Sequence, residues 1–518
     1  MDDRHIVAID LGTSKIAITV AIVNGDDIQI IYYKEGKSDG IRSSAVFNPA
    51  RASKQIKKVI EEAEKELGIK IRRVVVNKPK YEVKVENAEI KLIRQTPDEC
   101  ITSQEITQVK KMAKEEYVLE NPELEELFGV VAQSFSTEDE FMLIEDDVEG
   151  MIGGILEGNF KVFIGSKKDL KNIDVAFKNI DIEVAEKYFT PESTAKAVLY
   201  DEEMDNGVAL IDFGAGVTSV SVYKGNVMRH YAAIPFGGQS ITDDIKSECN
   251  ISDSLAENIK LGYGVCIPEK LQNLSEKVIH INSKNPAINS KELQVKYLSE
   301  IITARVKEII DAILWEIEQS GCADDLKSGI VVTGGCADMA NCCNLIHEMS
   351  GLHVRVGSPR RVFFASGCDD IMSTYTTCSI GMILKAKQDT GIDCAWIQNT
   401  EEVFKPDNVG EYFQENDKPK VEDVTEAEEV ADGKNEKVEE ETKAIEEEPT
   451  IVEEEPKTIA EEAPKTAKEE KKEHEDKHHE KKNNESFFGG LFGKLKKGAK
   501  NFSGKVNNMY EDMKDEEA

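Results

Sequence analysis

The sequence has no Cys-x-x-Cys pair among its ten cysteines, no run of 18 apolar residues and no surplus of basic charge. The first absence removes zinc-like spacing, and the adjacent Cys342 and Cys343 suit reduced thiols better than a disulfide framework. The second removes a bilayer-spanning helix. Residues 1–10 also lack a long apolar run behind a basic start, so no signal peptide is expected and the protein is read as cytoplasmic. The third argues against a nucleic-acid partner, since 65 basic residues stand against 99 acidic ones. Aromatic residues are missing from 414 to 486, where Glu, Lys, Pro and Thr dominate. Such a stretch cannot bury enough apolar area to offset chain entropy, so residues 404–485 are read as a disordered acidic linker. His474, His478 and His479 lie in that charge run and are read as solvated rather than as metal ligands.

Residues 1 to about 400 alternate short apolar runs with helical periodicity. Residues 6–9, 15–23, 74–76, 208–211 and 330–332 read as buried strands, and 52–67 as a helix. That alternation predicts an α/β architecture. Two of the strands share one pattern. Ile6-Val7-Ala8-Ile9-Asp10-Leu11-Gly12-Thr13-Ser14-Lys15 leads into a strand and an Asn24-Gly25 turn; Val208-Ala209-Leu210-Ile211-Asp212-Phe213-Gly214-Ala215-Gly216-Val217-Thr218 leads into a strand and a Gly225-Asn226 turn. In both, a buried strand ends in Asp-x-Gly and feeds a hairpin, which reads as a duplicated domain. Glycine lets backbone N–H groups approach a phosphate; Thr13, Ser14 and Thr218 are candidate hydroxyl donors, and Lys15 a candidate counter-charge. Asp10 and Asp212 are candidate holders of a hydrated Mg²⁺ beside those phosphates. A third strand ends in Thr333-Gly334-Gly335-Cys336, where glycine permits flat packing against a purine or its sugar.

These three motifs resemble the phosphate-1, phosphate-2 and adenosine motifs of the actin/chaperone/sugar-kinase ATPases, in the same order. Ile234-Pro235-Phe236-Gly237-Gly238, Ile241-Thr242-Asp243-Asp244-Ile245, Ala256-Glu257 with Lys260, the run 353–359 and Ser379-Ile380-Gly381 resemble the FtsA family of bacterial division proteins, over roughly residues 4–390. The resemblance implies an actin-like (ribonuclease H-like) two-lobe fold with an FtsA-type 1C insert. Its expected divisions are lobe-one core (1A) at 1–80 and 163–205, the insert at 81–162, and lobe two (2A/2B) at 206–395 with 2B at about 230–315. It also implies ATP with Mg²⁺ in the cleft, with Gly238, Glu257 and Lys260 near the ribose or adenine. Phosphate-2 loops usually carry Thr after the last glycine, where this chain has Val217. Several relatives carry Glu where this chain has Thr190, so no general base is evident and hydrolysis is expected to be slow or negligible.

Residues 486–510 contain no acid. On a helix at about 100° per residue, Phe488, Leu491, Phe492, Leu495, Ala499, Phe502, Val506 and Met509 share a stripe roughly 100° wide, with Lys494, Lys496, Lys497, Lys500 and Lys505 on the remaining arc. This is the pattern of a helix lying on an anionic membrane surface, and the resembled family also ends in such a helix. The resemblance further implies self-assembly into protofilaments, binding of the C-terminal peptide of the tubulin-like FtsZ with Arg305 near that site, and later division proteins at the 1C-like insert. Two alternatives stay open: an actin-like adaptor of the pilus-assembly type, and a sugar or carboxylate kinase of the same superfamily.

Overall fold

The computed structural model describes residues 3–271, 275–281, 291–361 and 371–397; the acidic linker and the 486–510 stripe lie outside the described residues. Two five-stranded sheets form the frame. In the first, Arg4–Leu11, Lys15–Asn24 and Asp27–Lys37 run antiparallel, and Arg73–Asn77 then Glu183–Tyr188 add in parallel on the other side of Arg4–Leu11. The second repeats this order. Val208–Phe213, Thr218–Lys224 and Val227–Ile234 are antiparallel, and Ile330–Thr333 then Val354–Val356 are parallel. The first strand of each sheet is central and covered on both faces, which is why its sequence is an unbroken apolar run rather than an alternating one. Gly225 and Asn226 both take positive φ, as the two-residue turn joining a twisted hairpin requires.

Helices close the faces. Pro49–Leu67 starts where the Asn48 side chain accepts from the Arg51 amide and Pro49 fills the first turn, and it stops at Gly68, whose φ is +66°. Its buried residues Ala52, Ile56, Val59, Ile60 and Ala63 recur at helical spacing and pack on the first sheet. The second sheet is covered largely by Val295–Gln319, through Leu298, Ile302, Val306, Ile309 and Ile313.

A separate sheet is inserted in the sequence between the two parallel strands of the first lobe, which are themselves paired. Ile155–Ser166 is its centre, with Lys84–Ile93 and Glu125–Ser136 on either side. Helix Ser103–Glu115 lays Ile106, Val109 and Ala113 against Phe135 and Phe160, a small core of its own. Thr102 caps that helix in a reciprocal pair with Glu105. The buried Arg94 guanidinium bonds Glu105 at 2.8 Å and holds its carboxyl down to about 2. The same sheet reaches the second lobe, where Gln133 donates to the Met228 carbonyl and Arg229 donates to that of Gln133, at 3.0 and 2.8 Å.

The chain passes between the lobes at Thr190–Val198 and returns along Thr377–Ala386, and these two helices cross in the interior. A Cβ added at Gly381 would run into the Ser193 carbonyl, so the crossing needs glycine there. Gly381→Val is therefore expected to overpack the crossing by roughly 1–3 kcal/mol. Thermal unfolding of the full chain checks this, and an unchanged midpoint would contradict the packing described.

Candidate functional site

The repeated strand order carries the two Asp-x-Gly turns to one place. Asp10 and Asp212 sit next to last in the first strand of each sheet, opposite Ala17 and Ser219 in register. The turns Gly12-Thr13-Ser14 and Gly214-Ala215-Gly216-Val217 follow, and both line a single cavity of about 610 Å³ between the lobes. At Gly216 and Thr13 they meet closely, since a Cβ on Gly216 would stand 2.7 Å from the Thr13 hydroxyl oxygen. Among the described residues, no hydrogen bond takes up the amide N–H of Thr13, Ser14, Ala215 or Gly216. The second turn is braced from behind by the start of helix Gly238–Cys249, where Gly238 and Gln239 donate to the Gly214 and Ala215 carbonyls at 3.0 and 2.7 Å. Asn77, buried, fixes the first by accepting from the Leu11 amide at 2.7 Å.

Every candidate cleft residue except Thr218 lines the cavity: Asp10, Gly12, Thr13, Ser14, Lys15, Asp212, Gly214, Ala215, Gly216, Gly238, Glu257, Lys260, Gly334, Gly335 and Cys336. Thr218 is a correction. Its side chain is fully buried and its hydroxyl donates to the Phe236 carbonyl at 2.8 Å, because it already belongs to the strand Thr218–Lys224 rather than to the turn. Gly334 has φ +88°, and a Cβ there would meet the Phe213 carbonyl at 2.5 Å. A Cβ on Gly335 would meet nothing within 4 Å, which leaves a flat, open floor. Lys15 pairs with Glu35 and lies 3.8 Å from the centre of the Tyr375 ring. Lys260 donates to Glu257 and Thr242, each at 2.7 Å, and to the Gly238 carbonyl at 2.9 Å. Burial pushes the Cys336 thiol up to about 12.

Arg305 lies away from this cleft, on Val295–Gln319. Its guanidinium grips Asp244 at 2.5 and 2.8 Å and Glu308 at 2.8 Å. The Thr190 hydroxyl donates to the Lys78 carbonyl at 2.9 Å and Glu192 pairs with Lys385; neither lines the cavity. The membrane-stripe residues Phe488, Leu491, Phe492, Leu495, Lys496, Lys497 and Phe502 lie outside the described residues.

Lys80 is a cleft residue that the motifs did not point to, as are Ser44 and Asn77. Its ammonium pairs with Asp212 across the lobes, with both side chains about nine-tenths buried at 14% and 11% exposure. Burial works against its charge, but the Asp212 and Asp10 carboxylates outweigh it and raise its pKa. Asp10 opens onto the cavity yet is enclosed elsewhere. Burial raises its pKa, Lys80 partly counters this, and Asp212 adds to it. Two facing carboxylates, four unpaired turn amides and an open glycine floor fit a ligand carrying a polyphosphate, a cation and a flat ring system. A second hollow of about 740 Å³, between Cys249 and Tyr297, has no such glycine turns.

A raised pKa means that Asp10 opposes folding above its folded pKa and not below its unfolded one. Asp10→Asn is therefore expected to raise the thermal midpoint of the ligand-free protein at neutral pH, with the gain vanishing near pH 3. Melting curves across that range check the sign.

The sequence model of the family described as "Cell division protein FtsA" matches residues 209–379, from the second Asp strand to the returning helix. The cell division protein FtsA of Enterococcus hirae is 29% identical over 356 residues, covering 69% of this chain and 78% of that protein. That of Neisseria meningitidis serogroup B is 27% identical over 384 residues, covering 73% and 89%. A solved structure titled "PilM-PilN type IV pilus biogenesis complex" superposes with a TM-score of 0.52 at 14% identity, over 74% of this chain and 98% of that one. At that identity the likeness is one of fold.

Proposed function

The chain belongs to the FtsA family of actin-like cell-division proteins, and we propose from that premise that it is an ATP-binding adaptor linking FtsZ filaments to the cytoplasmic face of the membrane at the division site. The observation that carries the reading is the meeting of two equivalent Asp turns across one cleft, each with unpaired amides at a glycine. The Thr13, Ser14, Ala215 and Gly216 amides would hold the phosphates, and Asp10 and Asp212 would hold Mg²⁺ through water. Gly334 and Gly335 would lie against the adenosine, with Glu257 and Lys260 beside it. ATP with Mg²⁺ would supply the charge that both turns bind at once, and so one fixed lobe arrangement. In that arrangement subunits would join into protofilaments.

Turnover is expected to be slow. The described cleft carboxylates have protein partners: Glu35 with Lys15, Asp212 with Lys80, Glu257 with Lys260 and Thr242, and Asp338 with Thr374, while Asp10 lies enclosed beside Lys80 and Cys378. None stands free as a general base. Purified full-length protein should hydrolyse ATP well below the roughly 1 s⁻¹ at the low end of ordinary enzymes.

Membrane attachment rests on the 486–510 stripe. Each large apolar side chain buried contributes roughly 1.5–3 kcal/mol and each nearby lysine about 1 kcal/mol, against about 1 kcal/mol for each glycine held helical. One tail would bind reversibly, and many on one polymer firmly. Among the described residues no helix is long and apolar enough to cross a membrane. The FtsZ peptide would dock on the second lobe near Arg305 and later division proteins on the inserted sheet.

Two outcomes test the reading. Gly335→Phe should fold with an unchanged thermal midpoint, because nothing crowds that position, yet lose binding of a fluorescent ATP analogue by tenfold or more, about 1.4 kcal/mol. In sedimentation with anionic vesicles, the full chain should pellet and a chain ending at Asn484 should stay in solution. Retained binding in the first case, or pelleting of the shortened chain in the second, would contradict the corresponding half.

A further inference from the structure

Among the described residues three lysines line the cleft, and two of them are committed to its walls. Lys15 is held by Glu35 and stacked over Tyr375, and Lys260 is held by Glu257, Thr242 and the Gly238 carbonyl. Lys80 is the one that pairs with Asp212, with Asp10 also within range of its charge, and it does so from a pinned backbone. Its amide donates to the Ser44 hydroxyl at 3.1 Å, and its carbonyl accepts from the Tyr231 hydroxyl at 2.5 Å. Ser44 in turn donates its amide to the Thr13 hydroxyl at 3.1 Å, so the lysine is wired to the first turn. Tyr231 belongs to the second lobe and is backed by Phe163 and Phe189 at ring-centre distances of 6.2 and 5.4 Å. The main chain of Lys80 is thereby held by contacts from both lobes, and its four-carbon side chain carries the ammonium to Asp212.

We propose that Lys80 is a tethered counter-ion, competing with a divalent cation for Asp10 and Asp212 and swinging onto the phosphates when a nucleotide enters without metal. The proposal rests on the nucleotide reading above and adds to it a dependence of metal binding on Lys80. In the empty cleft the ammonium neutralises the carboxylate pair, so a free divalent ion finds the site already occupied by charge. With nucleotide present, one positive charge already stands between the two turns, within reach of oxygen atoms that a metal would otherwise bridge. The site should therefore depend less on Mg²⁺ than a carboxylate pair without a lysine would.

The test uses the full chain, Lys80→Met, and Lys80→Arg as the charge-preserving control; Lys80→Gln replaces Lys80→Met if the latter fails to fold. Mn²⁺ binding is first measured by electron paramagnetic resonance without nucleotide. Removing the lysine should tighten Mn²⁺ binding at least about tenfold, and arginine should leave it as in the parent. ATP affinity is then compared in Mg²⁺ and in chelator. The parent should lose less than about tenfold on chelation, and the Met or Gln variant at least about a hundredfold, restored by Mg²⁺. Equal chelation losses in the parent and variant, together with unchanged Mn²⁺ binding, would overturn the proposal and leave Lys80 as a lobe contact only. Absence of ATP binding in every protein and buffer would overturn the nucleotide reading itself, and this proposal with it.

Discussion

At the centre of the molecule two helix backbones come so close that only glycine fits between them. The crossing of Thr190–Val198 with Thr377–Ala386 at Gly381 sets how far apart the two sheets stand, and the opposition of the turns depends on that spacing. Close packing makes such a contact stiff, because an interior at crystal-like density has no slack to absorb an added methyl group. The sheets hang from it through cores that are almost fully apolar: one that runs from the first lobe into the near face of the second, one within the second, and a third beneath the inserted sheet. Cross-lobe contacts at Lys80 with Asp212, Tyr231 with Lys80, and Gln133 with Met228 and Arg229 are added to that frame.

The cleft gathers charge where the frame permits it. Carboxylates are costly to bury unless paired, and among the described cleft residues Glu35, Asp212, Glu257 and Asp338 each have a partner from a different element. The four turn amides are the exception, and they are the groups that a phosphate satisfies best. This division describes a site arranged for holding a ligand between lobes, with its acid–base groups already occupied.

What was legible in the sequence follows the range of each signal. The Asp-x-Gly turns, the hairpins after them and the glycine-rich end of Ile330–Thr333 are local patterns, and each strand appears where its apolar run lies. The helix of residues 52–67 begins three residues earlier, because Asn48 and Pro49 form its cap. Thr218 opens the strand rather than closing the turn, and spacing alone does not say where a turn ends and its strand begins. Lys80 was invisible for a different reason. It lies 132 residues from Asp212 in the chain, and only the fold brings them together. Asn77 and Ser44 escaped notice likewise, as single polar residues whose role is to hold a turn 66 and 31 residues away. The family resemblance rests most firmly on the second lobe, which is also the part that the family's sequence model matches.

The central claim is that both turns grip one ligand together. Hydrogen–deuterium exchange on the full chain, with and without ATP and Mg²⁺, addresses it directly. The account predicts that the amides of residues 13–14 and 215–216, now without partners, become protected together and to a similar extent at a single saturating ligand concentration. Protection of one turn alone, or of neither, would contradict it.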